Sequence, residues 1–117
     1  YLVQSTVFPA NDHLVELLQE ITEGPQARDT LVVVTYDEFG GQWDHVSPPK
    51  VDRWGPGTRI PALVIGGRFE RSGVDHTSYD TTSILATIER SFGLKPLSSR
   101  DRAVNDLSHA VARGGRR

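Results

Sequence analysis

The sequence predicts an α/β fold in which helices flank a partial sheet of few parallel strands, with many loops. Three observations carry this expectation. Two short apolar runs rich in β-branched residues, 31–36 and 60–65, read as strands buried on both faces. Two segments repeat apolar residues at helical spacing, one before the first run and one after the second. Glycine and proline punctuate the intervals. Two or three strands form a weak sheet on their own. The chain is therefore expected to be a segment of a larger domain, or to join an assembly that completes the sheet.

Residues 1–10, with Val3, Val7 and Phe8 before Pro9, read as a short strand or an extended lead-in. Asn11 and Asp12 are candidate caps of a helix running to Glu23, with Leu14, Leu17, Leu18 and Ile21 on one face. Gly24 and Pro25 end it. Residues 31–36 follow as a central strand. Residues 37–58 are too long for an ordinary connection, and loops of that length are commonly functional. Pro61 stands at the start of the second strand, where proline is tolerated, and Gly66-Gly67 closes it. Ser78 or Asp80 is expected to cap a helix over 81–92 that buries Ile84, Leu85, Ile88 and Phe92 and stops at Gly93. A last short helix is expected over 102–111, with Val104 and Leu107 inward and residues 114–117 frayed.

The formal net charge of -2 argues against general nucleic-acid binding or attraction to an anionic membrane surface. The absence of cysteine excludes disulfides and thiolate metal sites. No apolar stretch reaches the roughly 20 residues that span a bilayer. The chain also lacks methionine and begins at Tyr1, which reads as a processed chain or a piece of a longer one.

The chemistry-bearing residues cluster in the stretch T-Y-D-E-F-G-G-Q-W-D-H-V-S-P-P, residues 35–49. Asp37 and Glu38 stand where the first strand ends. Open α/β sheets place ligands beyond the carboxyl ends of their strands. Side chains alternate along a strand, so both acids reach one ligand only where the strand is ending. Carboxylates beside a buried strand need a positive partner. A divalent metal is the simplest, and arginines are the alternative. Asp44-His45 follows. His45 can contact a phosphoryl oxygen, ligate a metal or move a proton; alternatively it packs on Trp43, while Asp44 orients it or neutralises Arg53. In Asp75-His76-Thr77-Ser78, His76 can face an anion near a helix N-terminus, or the four residues simply cap the helix. Lys50, Arg53 and Arg59 either hold phosphate or pair with nearby acids. His13 and His109 carry no assigned role. No P-loop, dinucleotide fingerprint or nucleophile elbow occurs.

Three motifs together are more specific than any one of them. They are T-L-V-V-V-T-Y-D-E-F-G-G-Q-W-D-H-V-S-P-P, G-P-G-T-R-I-P-A-L-V-I and D-H-T-S-Y-D-T-T-S-I-L-A-T-I-E. With them the chain resembles, over about 12–110, the C-terminal part of the phosphoesterase family of bacterial acid phosphatases and phospholipases C. The W-G-P-G-T-R-I-P and Y-D-T-T-S-I-L segments look closer to the acid phosphatase branch. The resemblance implies an alkaline-phosphatase-like α/β fold and a phosphate-ester hydrolase with a bound divalent metal (calcium, magnesium, manganese or zinc). It implies Asp37 and Glu38 as metal ligands and His45 and His76 as catalytic residues near the phosphate. It also implies a serine or threonine nucleophile in an upstream segment, passage through a phosphorylated enzyme, and a periplasmic or secreted bacterial protein. A non-catalytic remnant of that fold, binding a metal or a partner, is the competing expectation.

Overall fold

A computed structural model describes residues 2–66, 68, 69 and 72–114, without the side chains at 2–10, 113 and 114. The expectations for Gly67 as a strand stop and for 115–117 as a frayed end lie outside the described residues.

The first element is helix α1, Leu2–Glu23, in place of a lead-in followed by a later helix. It runs through Pro9 and past Asn11 and Asp12. A proline removes one intrahelical hydrogen bond, which made Pro9 read as a boundary. The spacing Val3, Val7, Ala10, Leu14 nevertheless continues the helical period of Leu14, Leu18 and Ile21. Leu14, Leu18 and Ile21 are half-buried, whereas Leu17 is exposed. Helix α1 stops before Gly24-Pro25, and a 3₁₀ turn, Ala27–Asp29, leads into the sheet.

Strands β1, Leu31–Thr35, and β2, Ala62–Gly66, pair antiparallel, with Val33 opposite Val64. This corrects the expectation of parallel strands. Parallel neighbours need a crossover, usually a helix. Residues 36–61 contain no helix and bring the chain straight back beside β1. The Thr35 hydroxyl donates to the Pro61 carbonyl at 2.9 Å and closes the open end of the pair. At the other end Gly66 lies under the Phe69 ring; a Cβ there would stand 2.9 Å from a ring carbon. Arg68 then donates to the Arg28 carbonyl at 2.7 Å and pairs with Asp29, tying the exit of β2 to the turn before β1. No strand residue is fully buried.

Helix α2 spans Thr82–Phe92. Asp80 is its effective cap: its carboxylate accepts from the Thr82 N–H at 2.7 Å, while its own N–H donates to Ser83 Oγ at 3.0 Å. At the other end Gly93 takes the left-handed conformation (φ 64°), and the Leu94 N–H closes on the Glu89 carbonyl at 2.7 Å. The expected terminal helix is divided in two, α3 (Ser99–Ala103) and α4 (Ser108–Gly114). Ser98 and Asp101 form a capping box that starts α3 earlier than periodicity suggests. Asp106 then caps a separate helix by accepting from the Ser108 N–H at 2.9 Å.

The buried face of α2 differs from the predicted one. Ser83, Ala86 and Glu89 are buried, Ile84 and Leu85 half-buried, and Ile88 and Phe92 exposed. The small and polar stripe wins because α3 and the segment after it satisfy it. The Leu107 N–H donates to Thr87 Oγ1 at 2.9 Å. Arg90 pairs with Asp106 at 2.9 Å and donates to the Val104 carbonyl at 3.0 Å. Nothing among the described residues covers Phe92. Leu107 is buried as predicted.

Glu89 and Asp101 form a buried carboxyl pair, and both accept from the Leu97 N–H, at 3.2 and 2.7 Å. Burial, and then the bond with Asp101, push the Glu89 carboxyl up. The Ser98 hydroxyl, aided by the Leu97 N–H, outweighs burial and holds Asp101 down at about 2. A raised carboxyl supports folding below its unfolded pKa and loses that support as pH rises through the folded value. Glu89→Gln should therefore raise the melting temperature at neutral pH and change it little near pH 4; thermal melts across that range check this. Leu107→Ala should cost about 2 kcal/mol or more, the usual loss for emptying a buried leucine site, read by denaturant unfolding.

Candidate functional site

Asp37 and Glu38 leave the end of β1 and are exposed. The Glu38 N–H donates to Asp37 Oδ1 at 3.0 Å, which fixes the Asp37 carboxylate against the backbone where the chain bends. Gly40 and Gly41, both at positive φ (63° and 71°), then reverse the chain, a conformation that glycine adopts without strain. Among the described residues no cation pairs with either acid.

Asp44 is engaged elsewhere. Arg59 grips it bidentately, Nε at 2.9 Å and Nη2 at 2.8 Å, and the backbone N–H groups of Val46 and Arg59 add two bonds. The Arg59 guanidinium, assisted by those N–H groups, holds this carboxyl far below the usual carboxylate range. Asp44 therefore staples the two ends of the long loop and does not neutralise Arg53, which lies over the Trp54 ring at 4.4 Å. Nor does Asp44 orient His45. The His45 Nδ1 is 3.7 Å from Asp44 Oδ1, too long for a hydrogen bond, and its ring is exposed with a tilted approach to Trp43.

Arg100 of α3 ties the same loop to α2. Its Nε donates to Asp80 at 3.1 Å, and its Nη1 lies 3.6 Å from Asp52. Asp52 in turn accepts from the N–H groups of Trp54 and Gly55, at 2.7 and 3.1 Å, and shapes the W-G-P-G turn.

The D-H-T-S segment does not cap α2, which starts later, at Thr82. Asp75 instead gathers four donors. The Thr77 N–H and hydroxyl donate to Oδ1 at 3.1 and 2.9 Å, Tyr79 to Oδ2 at 2.7 Å, and His109 Nδ1 lies 3.0 and 3.1 Å from the two oxygens. Burial opposes ionisation of Asp75. The Tyr79 hydroxyl, the His109 ring and Thr77 more than offset it and keep the carboxyl well below its ordinary range. Burial and the Asp75 charge push the Tyr79 hydroxyl up. His76, between the two engaged residues, is exposed.

No hydrogen bond or ion pair among the described residues joins Asp37 or Glu38 to His45 or His76. No group of three or more His, Asp or Glu side chains there converges as a metal site. Sequence reasoning also missed His109. Its partner Asp75 lies 34 positions away, and no local pattern signals a bond of that range.

Helices with a two-stranded antiparallel sheet make this a small α/β chain, with two acids just beyond β1 in a loop pinned by ion pairs. Residues 4–95 match the model of the Phosphoesterase family, and the chain belongs to that family. Similar curated proteins include non-specific phospholipase C3 of Arabidopsis thaliana, 30% identical over 84% of this chain and 24% of that protein. Another is non-specific phospholipase C4 of the same plant, 31% identical over 84% and 23%. Phospholipase C B of Mycobacterium tuberculosis is 28% identical over 92% and 26%. The chain thus spans about a quarter of the length of the curated relatives it matches. These relatives come from a plant as well as a bacterium. No solved structure matches. No helix among the described residues is long and apolar enough to cross a membrane.

The Asp44 carboxylate supports folding at every pH above its unfolded value and loses that support only as pH falls through its depressed folded value. Asp44→Asn should release the loop near neutral pH. Limited trypsin digestion should then cut severalfold faster after Lys50 and Arg53; unchanged cleavage would mean that other contacts hold the loop.

Proposed function

We propose that the protein carrying this chain is a metal-dependent phosphate-ester hydrolase, and that the chain is the C-terminal part of its catalytic domain. The observation that carries this reading is the Asp37–Glu38 turn. Two consecutive acids stand exposed just beyond β1, and among the described residues no cation takes them, in a chain of the Phosphoesterase family.

Their oxygens are hard donors that suit calcium, magnesium, manganese or zinc. Two carboxylates fit such an ion as part of its shell, and the other ligands are assigned to protein outside this chain. A divalent cation held there supplies Lewis acidity, lowering the pKa of an attacking hydroxyl and stabilising charge on phosphoryl oxygens. The serine or threonine that attacks is likewise assigned to protein outside this chain. His76, exposed between two anchored neighbours, offers a ring nitrogen to a phosphoryl oxygen. His45, exposed on the same loop as the acids, offers a proton to the departing alcohol.

The motifs nearest the acid phosphatase branch favour monoesters. The names of the curated relatives favour the second reading, a phospholipase C that cleaves a phosphodiester. Comparing turnover of an aryl phosphate with that of phosphatidylcholine vesicles decides between them. The exported location implied by the resemblance belongs to this proposal and is checked by cell fractionation.

In the whole protein, Asp37→Ala and Glu38→Ala should each lower kcat by at least the roughly 10- to 100-fold that the loss of an outer-shell partner of a metal costs. Chelation should do the same reversibly. Full activity in both variants, or in chelator, sinks the metal assignment. Tight metal binding without turnover of either substrate would favour a binding remnant of the fold.

A further inference from the structure

We propose that His109 is a positioning residue for His76, holding it by clasping the residues on either side; this rests on the role assigned to His76 above. Asp75 and Thr77 flank His76. The single nitrogen His109 Nδ1 meets both, at 3.0 and 3.1 Å from the Asp75 oxygens and 2.9 Å from Thr77 Oγ1.

Donor accounting sets the tautomer. The Asp75 carboxylate is ionised and can only accept. The Thr77 hydroxyl already donates its proton to Asp75 Oδ1 at 2.9 Å, so toward His109 it too can only accept. His109 Nδ1 must therefore carry a hydrogen, shared between the two. The same accounting removes Thr77 as a nucleophile activated by His109, because the facing nitrogen is protonated and the hydroxyl proton points at a carboxylate.

The clasp has a firm base. His109 lies in the first turn of α4, whose start is capped by Asp106, and Asp106 pairs with Arg90 of α2 at 2.9 Å. Asn105 Nδ2 reaches from just ahead of α4 to the Ser78 carbonyl at 3.0 Å. Tyr79 holds the other carboxylate oxygen of Asp75. The backbone before and after His76 is thereby fixed from a helix more than thirty positions away in sequence. The His76 ring is exposed and takes part in no hydrogen bond among the described residues. A histidine held by its neighbours keeps both ring nitrogens for a ligand while the backbone that carries it stays set. Such placement acts on the chemical step, where small displacements of a catalytic group are costly.

The test is a double-mutant cycle in the whole protein, assayed with an aryl phosphate or phosphatidylcholine vesicles, whichever it hydrolyses. His109→Ala should lower kcat by about 10- to 100-fold and change KM much less, as losing a supporting partner does. His109→Asn, whose amide can donate from near the Nδ1 position, should recover most of that loss. Adding His109→Ala to His76→Ala should cost nothing further, because the clasp acts only through His76. Thr77→Val, which removes one acceptor of the clasp, should show the same dependence on His76 and serves where His109→Ala melts below the assay temperature. A full His109→Ala penalty in the His76→Ala background, or no penalty at all, overturns the positioning role and leaves the role of His76 standing. Wild-type kcat in His76→Ala overturns that role and the positioning proposal with it.

Discussion

The buried Asp101 carboxylate holds the C-terminal half of this chain in place. It accepts from the N–H groups of Leu97 and Ser98 and from the Ser98 hydroxyl, and it lies against the protonatable Glu89 of α2. These bonds set the start of α3, the angle at which α3 meets α2, and the position of Arg100 one residue earlier. Arg100 then reaches Asp80 at the head of α2 and Asp52 in the long loop. Asp106, further on, and Asp75, ahead of α2, repeat the pattern. Where apolar side chains are few, an ionised acid that collects several donors gives both attraction and direction. Ala86 and Leu107 are the buried apolar residues in this region, and the carboxylates decide how the pieces are oriented around them.

How much was legible in the sequence follows from the range of each signal. Local signals held: the stop at Gly24-Pro25, the two strands, the left-handed cap at Gly93, Asp80 ahead of α2, and the inward Leu107. Pairings set by distant residues were not legible. The 36–61 return is compatible with either strand direction until the missing crossover helix is noticed, and the parallel expectation gave way there. The capping box at Ser98 is a local signal that went unread beside the apolar period of Val104 and Leu107. The apolar stripe of α2 was read as its buried face, yet Ile88 and Phe92 are exposed. An apolar period alone does not say which neighbours a helix meets; here α3 and the segment after it meet the Ser83, Ala86 and Glu89 stripe.

The same division applies to the candidate site. The position of Asp37 and Glu38 just beyond β1 was legible from the apolar run that precedes them; their exposure was not, because that run is only half-buried. The long loop was legible by its length. That Asp44 belongs to Arg59, fifteen positions on, was not, because several arginines compete on equal terms in the sequence. The expected grouping of His45 and His76 with the acids is not formed by bonds within the described residues. What connects the parts is indirect: Arg100 links Asp52 of the loop to Asp80 at the head of α2, and Arg90 of α2 pairs with Asp106, which caps the helix that carries His109.

Both tryptophans of the chain, Trp43 and Trp54, lie in the loop between the strands, and both are largely exposed, at 86% and 78%. The remainder of the molecule is therefore dark in tryptophan emission. Tryptophan emission, excited apart from the tyrosines, reads the polarity around one loop and does not follow the melting of α2, α3 and α4 directly. A ligand, a lipid surface or a further stretch of protein settling on that loop would shift the emission to the blue with no change in helix content. Circular dichroism and fluorescence would then follow two separate events in one molecule.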